Sequence, residues 1–282
     1  MKRIASLALL AFAAACGGRH EVPATEVHAV RAERLPEDPA DPAWNGAPAY
    51  RAALILQDLV EPRLLVPSTP NVSVRALTDG QRIAFLLVWD DPTADDTPGA
   101  ARFPDACAIQ LPQVTEADVP DPQMGQAGRT VEITVWKASW QAWVDGRPND
   151  IRALYPNAAI SHYPFEAASL AEGSVAQHEM ELRYAPARRL GQAPEGPRDK
   201  PVEDLLAEGP GTITHDPEQQ SQGRGSRTPA GWQVVIVRPL PANLGPGNRS
   251  QIAFAVWNGA KEEVGARKMR SAWVPLAVGT GA

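Results

Sequence analysis

From Ala53 onward the apolar residues occur in short runs that alternate with polar residues and end at Pro, Gly, Asp or Asn. This pattern is typical of β-strands that bury one face. It predicts eight strands, at residues 72–77, 83–89, 106–111, 131–136, 140–144, 232–237, 252–257 and 272–278. The sequence therefore predicts an all-β fold, a two-sheet antiparallel β-sandwich with long loops and a few short helical turns.

Turn and loop signals separate the predicted strands. Thr78, Asp79, Gly80 and Gln81 form the clearest turn, because glycine accepts the positive φ that a tight hairpin needs. Residues 90–103 and 190–227 mix Pro, Gly and charged residues, and both stretches are predicted to be irregular. An alanine-rich segment, 149–172, is expected to form one or two helical turns.

The N-terminus has the pattern of an export signal. Lys2 and Arg3 precede an apolar run and three alanines, which end at Cys16. Cys16 with the following Gly-Gly resembles a bacterial lipoprotein cleavage site, where the cysteine is acylated; ordinary cleavage after the small residues is the alternative. We therefore expect a signal peptide at 1–16, a linker at 17–40 and one folded domain at 41–282. The mature chain is expected in the periplasm or otherwise outside the cytoplasm, with lipid attachment to a membrane at Cys16.

Composition excludes several functional classes. The chain has 282 residues and a formal net charge of −6, which disfavours nucleic-acid binding. Two cysteines are too few for cysteine-rich zinc or iron–sulfur sites or for a disulfide-held fold, and Cys107, inside a predicted strand, is expected to be a small buried hydrophobe. The sequence lacks Cys-x-x-Cys-His, Gly-x-Ser-x-Gly and His-Glu-x-x-His motifs. Covalent haem attachment and the common hydrolytic sites are therefore not indicated.

Scattered polar residues give no clear metal site. The five histidines have no spacing suited to metal binding and are expected at the surface or in local hydrogen bonds: His20, His28, His162, His178 and His215. The acidic pairs Asp90-Asp91 and Asp95-Asp96 could bind calcium, but a loop of this composition is more often solvated.

Two residues could have chemical roles that the hydrophobic pattern does not explain. Met124 lies in a polar, glycine-containing loop, where it could fold back onto the edge of the sandwich or provide a soft thioether ligand for iron or copper. Lys268 follows Gly265, Ala266 and Arg267 in a predicted turn, where a solvated lysine is the ordinary interpretation. The residues alone leave these alternatives open.

Four segments, in this order, resemble a known family. They are VRALTDGQRIAFLLVWDDPT (74–93), FPDACAIQLP (103–112), MGQAGRTVEITVWKASWQ (124–141) and FAVWNGAKEEVGARKMRSAW (254–273). Together they are similar to the haem b-binding gamma subunits of ethylbenzene dehydrogenase, dimethylsulfide dehydrogenase and related molybdoenzymes of the type II DMSO reductase family. The resemblance extends from about residue 41 to residue 278.

The resemblance implies a β-sandwich that holds a noncovalent, six-coordinate haem b between a methionine and a lysine. Transferred to this sequence, Met124 and Lys268 are the axial ligands of the haem iron, and Lys261 is the alternative lysine. The chain would then be a non-catalytic electron-transfer subunit rather than an enzyme.

The same resemblance implies partner chains. A molybdopterin catalytic subunit and an iron–sulfur subunit would carry the other cofactors, and a soluble cytochrome or a quinone-linked redox partner would exchange electrons with the haem. The competing interpretation is an exported carbohydrate- or ligand-binding β-sandwich without haem, for which aromatic side chains on an exposed face would be the signature.

Overall fold

The computed structural model describes residues 24–99, 101–148, 174–175 and 198–280. The predicted signal peptide, Cys16 and the alanine-rich segment 149–172 lie outside these residues. In the described part, no helix is long and apolar enough to cross a bilayer.

Fourteen strands and one short α-helix make up the described fold. The strands are β1 (Val27–Arg31), β2 (Tyr50–Ala53), β3 (Ile55–Leu56), β4 (Asn71–Thr78), β5 (Arg82–Asp90), β6 (Ala106–Pro112), β7 (Val131–Lys137), β8 (Val202–Ala207), β9 (Thr214–His215), β10 (Gln222–Arg227), β11 (Gly231–Pro239), β12 (Arg249–Trp257), β13 (Met269–Arg270) and β14 (Val274–Val278). The helix is α1 (Ala138–Val144), and 3-10 turns lie at Pro42–Gly46 and Gly259–Lys261.

The strands form two sheets that share β12. The first sheet has the order β10-β11-β5-β4-β1-β14-β12, with β2 added beside β4. The second sheet has the order β3-β13-β12-β6-β7-β8-β9. The first half of β12 pairs with β14, and its second half pairs with β6 and β13. The predicted all-β sandwich is confirmed.

The main core lies between the inner faces of the two sheets. Phe85 and Leu87 on β5 meet Ile109 on β6 and Phe254 on β12 in one buried cluster. Trp136 of the second sheet packs edge to face on Trp232 of the first, with ring centroids 5.1 Å apart. Alternation along the strands places these large side chains inside, as the sequence pattern predicted.

Each sheet also has an apolar outer face, and the two outer faces differ. On the first sheet, Leu86, Val235 and Val237 are covered by Trp44 from the 3-10 turn Pro42–Gly46. On the second sheet, Ala108 and Ile133 belong to a smaller cluster that borders a cavity.

The predicted strand at 140–144 is wrong, because these residues belong to α1. Trp140 and Trp143 are three positions apart and both are buried, which suits a helical period, whereas Val144 is exposed. The buried Gln141 fixes the turn, since its Oε1 accepts from Trp136 Nε1 at 3.2 Å and from the Gly225 N–H at 2.8 Å.

The predicted irregular stretch 190–227 is also partly wrong, because it contains β8, β9 and β10. β10 is polar and contains two glycines, so it shows no hydrophobic alternation. It becomes a strand by pairing along its whole length with β11 at the edge of the first sheet. In β8 the acidic pair Glu203 and Asp204 hid the strand, yet both side chains are buried. Asp204 accepts from the Thr134 hydroxyl at 2.7 Å and from the Ser221 N–H at 2.9 Å.

β1 lies inside the segment 17–40 that the sequence indicated as a linker. It pairs in parallel with both β4 and β14, so the sandwich is not antiparallel throughout. The short strands β2, β3 and β13 were also missed, because two to four residues are too few for a periodic signal.

Candidate functional site

A cavity of about 720 Å³ opens on the outer face of the second sheet. This volume falls within the roughly 300–1,000 Å³ of ordinary ligand pockets. Its floor is made of small side chains on two paired strands, Ala106 and Ala108 on β6 and Ala253 and Ala255 on β12. Because alanine projects little above the sheet, this floor leaves a space that larger side chains would fill.

Mainly apolar residues surround the floor. Ile133, Val135 and Leu205 continue the sheet surface, and Trp140 and Trp257 form part of the wall. All eight tryptophans of the chain lie in described residues; six are buried, and Trp257 and Trp273 are half-buried. No tryptophan is therefore fully exposed, and the two half-buried ones pack against the outer cluster of the second sheet.

Met124 lines the cavity from the loop between β6 and β7. Its backbone is in the left-handed region, with φ of 71°, and the next residue, Gly125, has φ of 80°. A Cβ at Gly125 would lie 2.7 Å from the carbonyl oxygen of Arg129 and 2.9 Å from that of Ala207, so glycine is required there. The Gly209 N–H donates to the Met124 carbonyl at 2.8 Å. Met124 is thus held in an uncommon conformation at the cavity by the turn after β8.

Lys268 lines the same cavity from the segment just before β13. Its Nζ lies 5.0 Å from the centroid of the Trp257 ring, and the residue is half-buried. Burial, with a smaller contribution from the positive charge of Arg270, lowers the pKa of Lys268 from the ordinary 10.5 to about 8. No carboxylate of the described residues contributes to holding the charged form.

Lys261 has a different position. It ends the 3-10 turn Gly259–Lys261, is exposed, and is absent from the described residues that line the cavity. The structure therefore brings Met124 and Lys268 to one cavity and leaves Lys261 at the surface.

Met269 shows why the neighbouring lysine points to the cavity. It is fully buried in the core between the sheets. Because side chains alternate along a strand, Lys268 and Arg270 on either side of it face the opposite way, and both line the cavity.

Gln57 is a cavity residue that the sequence did not reveal. Its N–H donates to the Lys268 carbonyl at 3.0 Å, and its Nε2 donates to the Ala266 carbonyl at 3.0 Å. Its Oε1 accepts the N–H groups of Leu59 and Val60, each at 2.8 Å. Gln57 therefore fixes the backbone of the segment that carries Lys268. A single polar residue between short strands has no periodic signal that could have indicated this role.

The Trp-Asn-Gly segment at the end of β12 is a junction rather than part of the cavity floor. The Gly259 N–H donates to Asp105 Oδ1 at 2.8 Å, and Trp232 Nε1 donates to Asp105 Oδ2 at 2.9 Å. Burial, with a smaller contribution from the nearby Asp91, outweighs the hydrogen bonds that Asp105 accepts and raises the pKa of Asp105 to about 6. Asp105 therefore connects the end of β12 to Trp232 of the first sheet.

The expectation that the acidic loop is solvated is wrong for Asp91, which has no exposed surface. Its Oδ1 accepts from the Thr93 N–H at 3.0 Å, and this local hydrogen bond stabilises a turn at the start of the loop. No group of three or more His, Cys, Asp or Glu suited to a metal ion occurs among the residues that the structure describes. His28 and His215 are exposed as predicted, and Cys107 is buried as predicted; His20, His162 and His178 lie outside the described residues.

Three comparisons place the chain among known proteins. It is 26% identical over 271 residues to a Haloferax mediterranei protein named as a respiratory nitrate reductase heme subunit, covering 93% of this chain and 74% of that protein. It is 39% identical over 66 residues to the chlorate reductase subunit gamma of Ideonella dechloratans, covering 21% of this chain and 28% of that subunit. A family 9 carbohydrate-binding module from Caldicellulosiruptor kristjanssonii aligns with a TM-score of 0.41 at 9% identity, over 91% of this chain and 94% of that module. At this TM-score the likeness supports no functional inference.

The family described as ethylbenzene dehydrogenase matches residues 41–269. This range contains the cavity floor, the Met124 loop and Lys268. The chain belongs to the ethylbenzene dehydrogenase family.

Proposed function

We propose that this chain is a haem b-binding electron-transfer subunit of an exported molybdopterin oxidoreductase complex, with Met124 and Lys268 as the axial ligands of the iron. The observation that carries the proposal is the apolar cavity that a thioether and a desolvated amine both line. The names of the two relatives, a heme subunit and a gamma subunit of reductases, support the same function.

The residues of the cavity fit a noncovalent haem. A flat floor of alanines with apolar walls suits a planar macrocycle and keeps water from it. A bound haem supplies reversible one-electron chemistry at its iron. Lysine must lose its proton to bind a metal, and a pKa of about 8 makes the neutral amine of Lys268 far more available at neutral pH than in an ordinary lysine. The Met124 thioether needs no proton loss and favours soft metals.

If Met124 and Lys268 both held the iron of a haem, no open position would remain on that iron for a substrate. Catalysis would therefore take place on another subunit, and this chain would relay electrons. A molybdopterin catalytic subunit and an iron–sulfur subunit are the proposed partners, with a soluble cytochrome or a quinone-linked protein as the external redox partner.

The proposal is tested by the visible spectrum of the purified mature chain after addition of haemin and then dithionite. We expect a low-spin Soret band and a sharp α band. Met124→Leu and Lys268→Gln should each disturb this signature, because each removes one ligand. Absence of the low-spin bands in the unmodified chain would contradict the proposal.

Lys261→Gln is the matched control, since it removes a lysine of the same segment that lies outside the cavity. It should leave the spectrum unchanged. Loss of the low-spin bands in Lys261→Gln, with retention in Lys268→Gln, would assign the ligand to Lys261 instead.

The partners are tested by purifying the tagged chain from its native host and measuring metals in the eluate. Molybdenum and non-haem iron should be recovered together with haem. An eluate that contains haem but neither molybdenum nor non-haem iron would contradict the proposed molybdoenzyme complex. It would not contradict the proposed haem site.

Location outside the cytoplasm is proposed from the N-terminal sequence. Lipid attachment at Cys16 predicts a mature chain that begins at Cys16 and carries added acyl mass. Cys16→Ser should move the protein from the membrane fraction to the soluble fraction. An unmodified mature N-terminus in the wild-type chain would indicate ordinary cleavage.

A further inference from the structure

Arg270 lines the cavity two positions after Lys268, on β13. β13 pairs with β12 so that Arg270 lies opposite Ala255, a residue of the cavity floor. The guanidinium is therefore carried by the edge of the floor itself and not by a surface loop.

Among the residues that the structure describes, the side chain of Arg270 forms no ion pair, and its buried Nε makes no hydrogen bond. A buried donor without an acceptor destabilises the folded chain, and the destabilisation is larger when the donor is charged. An unpaired guanidinium at an apolar cavity is consequently a site for an anion.

The acidic residues that line the cavity do not supply this anion. Glu61 pairs with Arg63 at 2.6 Å, and Glu203 pairs with Arg198 at 3.2 Å. Glu263 Oε2 accepts the Asn258 N–H at 2.9 Å, and Glu263 Oε1 is buried without a hydrogen-bond partner among the described residues. None of the three carboxylates forms an ion pair with Arg270 in the described part of the chain. The molecule that fills the cavity is therefore the candidate source of an anion for this guanidinium.

We propose that Arg270 binds a carboxylate side chain of the haem, and this inference rests on the haem-binding function proposed above. Haem b carries two such carboxylates at one edge of an otherwise apolar ring. The planar guanidinium suits a carboxylate, because it can donate two parallel N–H···O bonds.

The position of Arg270 also fits that of the neighbouring lysine. Arg270 and Lys268 both line the cavity and are separated by the buried Met269. One short segment therefore carries both the proposed carboxylate site and the proposed iron ligand.

The test compares haemin with haemin dimethyl ester, in which the carboxylates are blocked. Dissociation constants are measured by Soret titration for the full mature chain and for Arg270→Gln. We expect Arg270→Gln to weaken haemin binding by about ten- to a hundredfold, as for the loss of a charge-assisted hydrogen bond. The ester should bind the two proteins within about twofold of each other, because it offers no carboxylate to lose.

Arg267→Gln is the matched control, because Arg267 belongs to the same segment but does not line the cavity. It should weaken neither ligand. Any effect of Arg270→Gln on Lys268 or on the cavity shape acts on both porphyrins, so an equal loss for haemin and its ester would overturn the assignment.

Unchanged haemin affinity in Arg270→Gln would also overturn it, while leaving the haem site in place. Failure of the unmodified chain to bind either porphyrin would overturn the haem-binding proposal itself, and this inference with it. The two failures are therefore distinguished by the behaviour of the wild-type protein.

Discussion

The two outer faces of the sandwich are both formed by β-strands, but they differ in what covers them. On the first sheet, Leu86 and Val235 are covered by Trp44, which the chain supplies from its own N-terminal segment. On the second sheet, Ala108 and Ala255 form the floor of a cavity. An outer face covered by the chain adds to the core, whereas an outer face of small residues provides room for a ligand. The difference is made by side-chain volume and by one covering segment, not by strand topology.

Two arginines show the same contrast in charge. Arg75, on the outer face of the first sheet, donates to the backbone carbonyls of Trp44 and Ala47. Arg270, on the outer face of the second sheet, has a buried Nε that finds no acceptor among the described residues. On the covered face, the chain itself provides the hydrogen-bond acceptors for Arg75. On the cavity face, Arg270 is available to a bound ligand. Three sets of substitutions test this comparison.

Trp44→Ala should have the largest effect, because it uncovers the first sheet. Trp44 is 2% exposed, and its Nε1 donates to the Asp38 carbonyl at 3.0 Å. Loss of a buried tryptophan costs about 3–5 kcal/mol in the free energy of unfolding. Urea denaturation measures this loss, and haemin titration below the unfolding transition should give an unchanged dissociation constant. A parallel loss of haemin affinity would show that the two faces are coupled.

Lys268→Met should change the pH dependence of stability of the haem-free chain. The folded chain disfavours the charged amine, because its pKa is about 8 rather than 10.5. The cost of burying the charge is present in full below pH 8 and disappears as the pH rises to 10.5, so the free energy of unfolding should rise across this interval. The rise attributable to Lys268 is at most about 3 kcal/mol.

Urea denaturation at pH 7, 8, 9 and 10 checks this rise. Lys268→Met should remove it, and the exposed Lys261→Met should retain it. The same pH profile in Lys268→Met as in the wild type would mean that the cavity does not destabilise a charged amine. Such a result would weaken the contrast between a dry cavity face and a covered face.

The sequence predicted the inner faces well and the outer faces poorly, for a physical reason. Phe85 and Ile109 reveal their strands because period-two alternation marks a face that must be buried. The covering of the first sheet by Trp44 depends on a contact between segments far apart in sequence, which no local pattern records. β10 is similar, because its polar residues become a strand only when β11 is present.

The candidate site was partly predictable from the sequence. Met124 was noticeable because an apolar residue lay in a polar loop, and the family resemblance singled out Lys268 rather than Lys261. Alternate alanines at Ala106 and Ala108 were visible in the sequence, yet alanine in a strand does not by itself distinguish a cavity floor from a tightly packed layer. Gln57 and Arg270 could not be predicted from the sequence. Their roles depend on backbone pairing across more than 200 residues and on which of the other charged side chains form ion pairs with one another.

A matched pair of alanines provides the smallest and most direct test of the comparison. Ala84 pairs with Leu77 and Val237 in the covered cluster, and Ala108 pairs with Val135 and Ala255 on the cavity floor. Both are nearly inaccessible, at 0% and 4% exposed. Ala84→Leu should overpack a filled space and lower the free energy of unfolding by about 1–3 kcal/mol, with unchanged haemin affinity.

Ala108→Leu should do the opposite, because its added atoms enter an open cavity. We expect the free energy of unfolding to change by no more than about 0.5 kcal/mol and haemin affinity to fall about tenfold or more as the larger side chain occupies the ligand's space. Urea denaturation and Soret titration of the two variants measure both quantities side by side. If Ala108→Leu destabilised the haem-free chain as much as Ala84→Leu did, the floor would be packed like the covered face, and the cavity would not be available to a ligand. The same substitution on the two faces thus distinguishes a space that side chains already fill from a space that is open to a ligand.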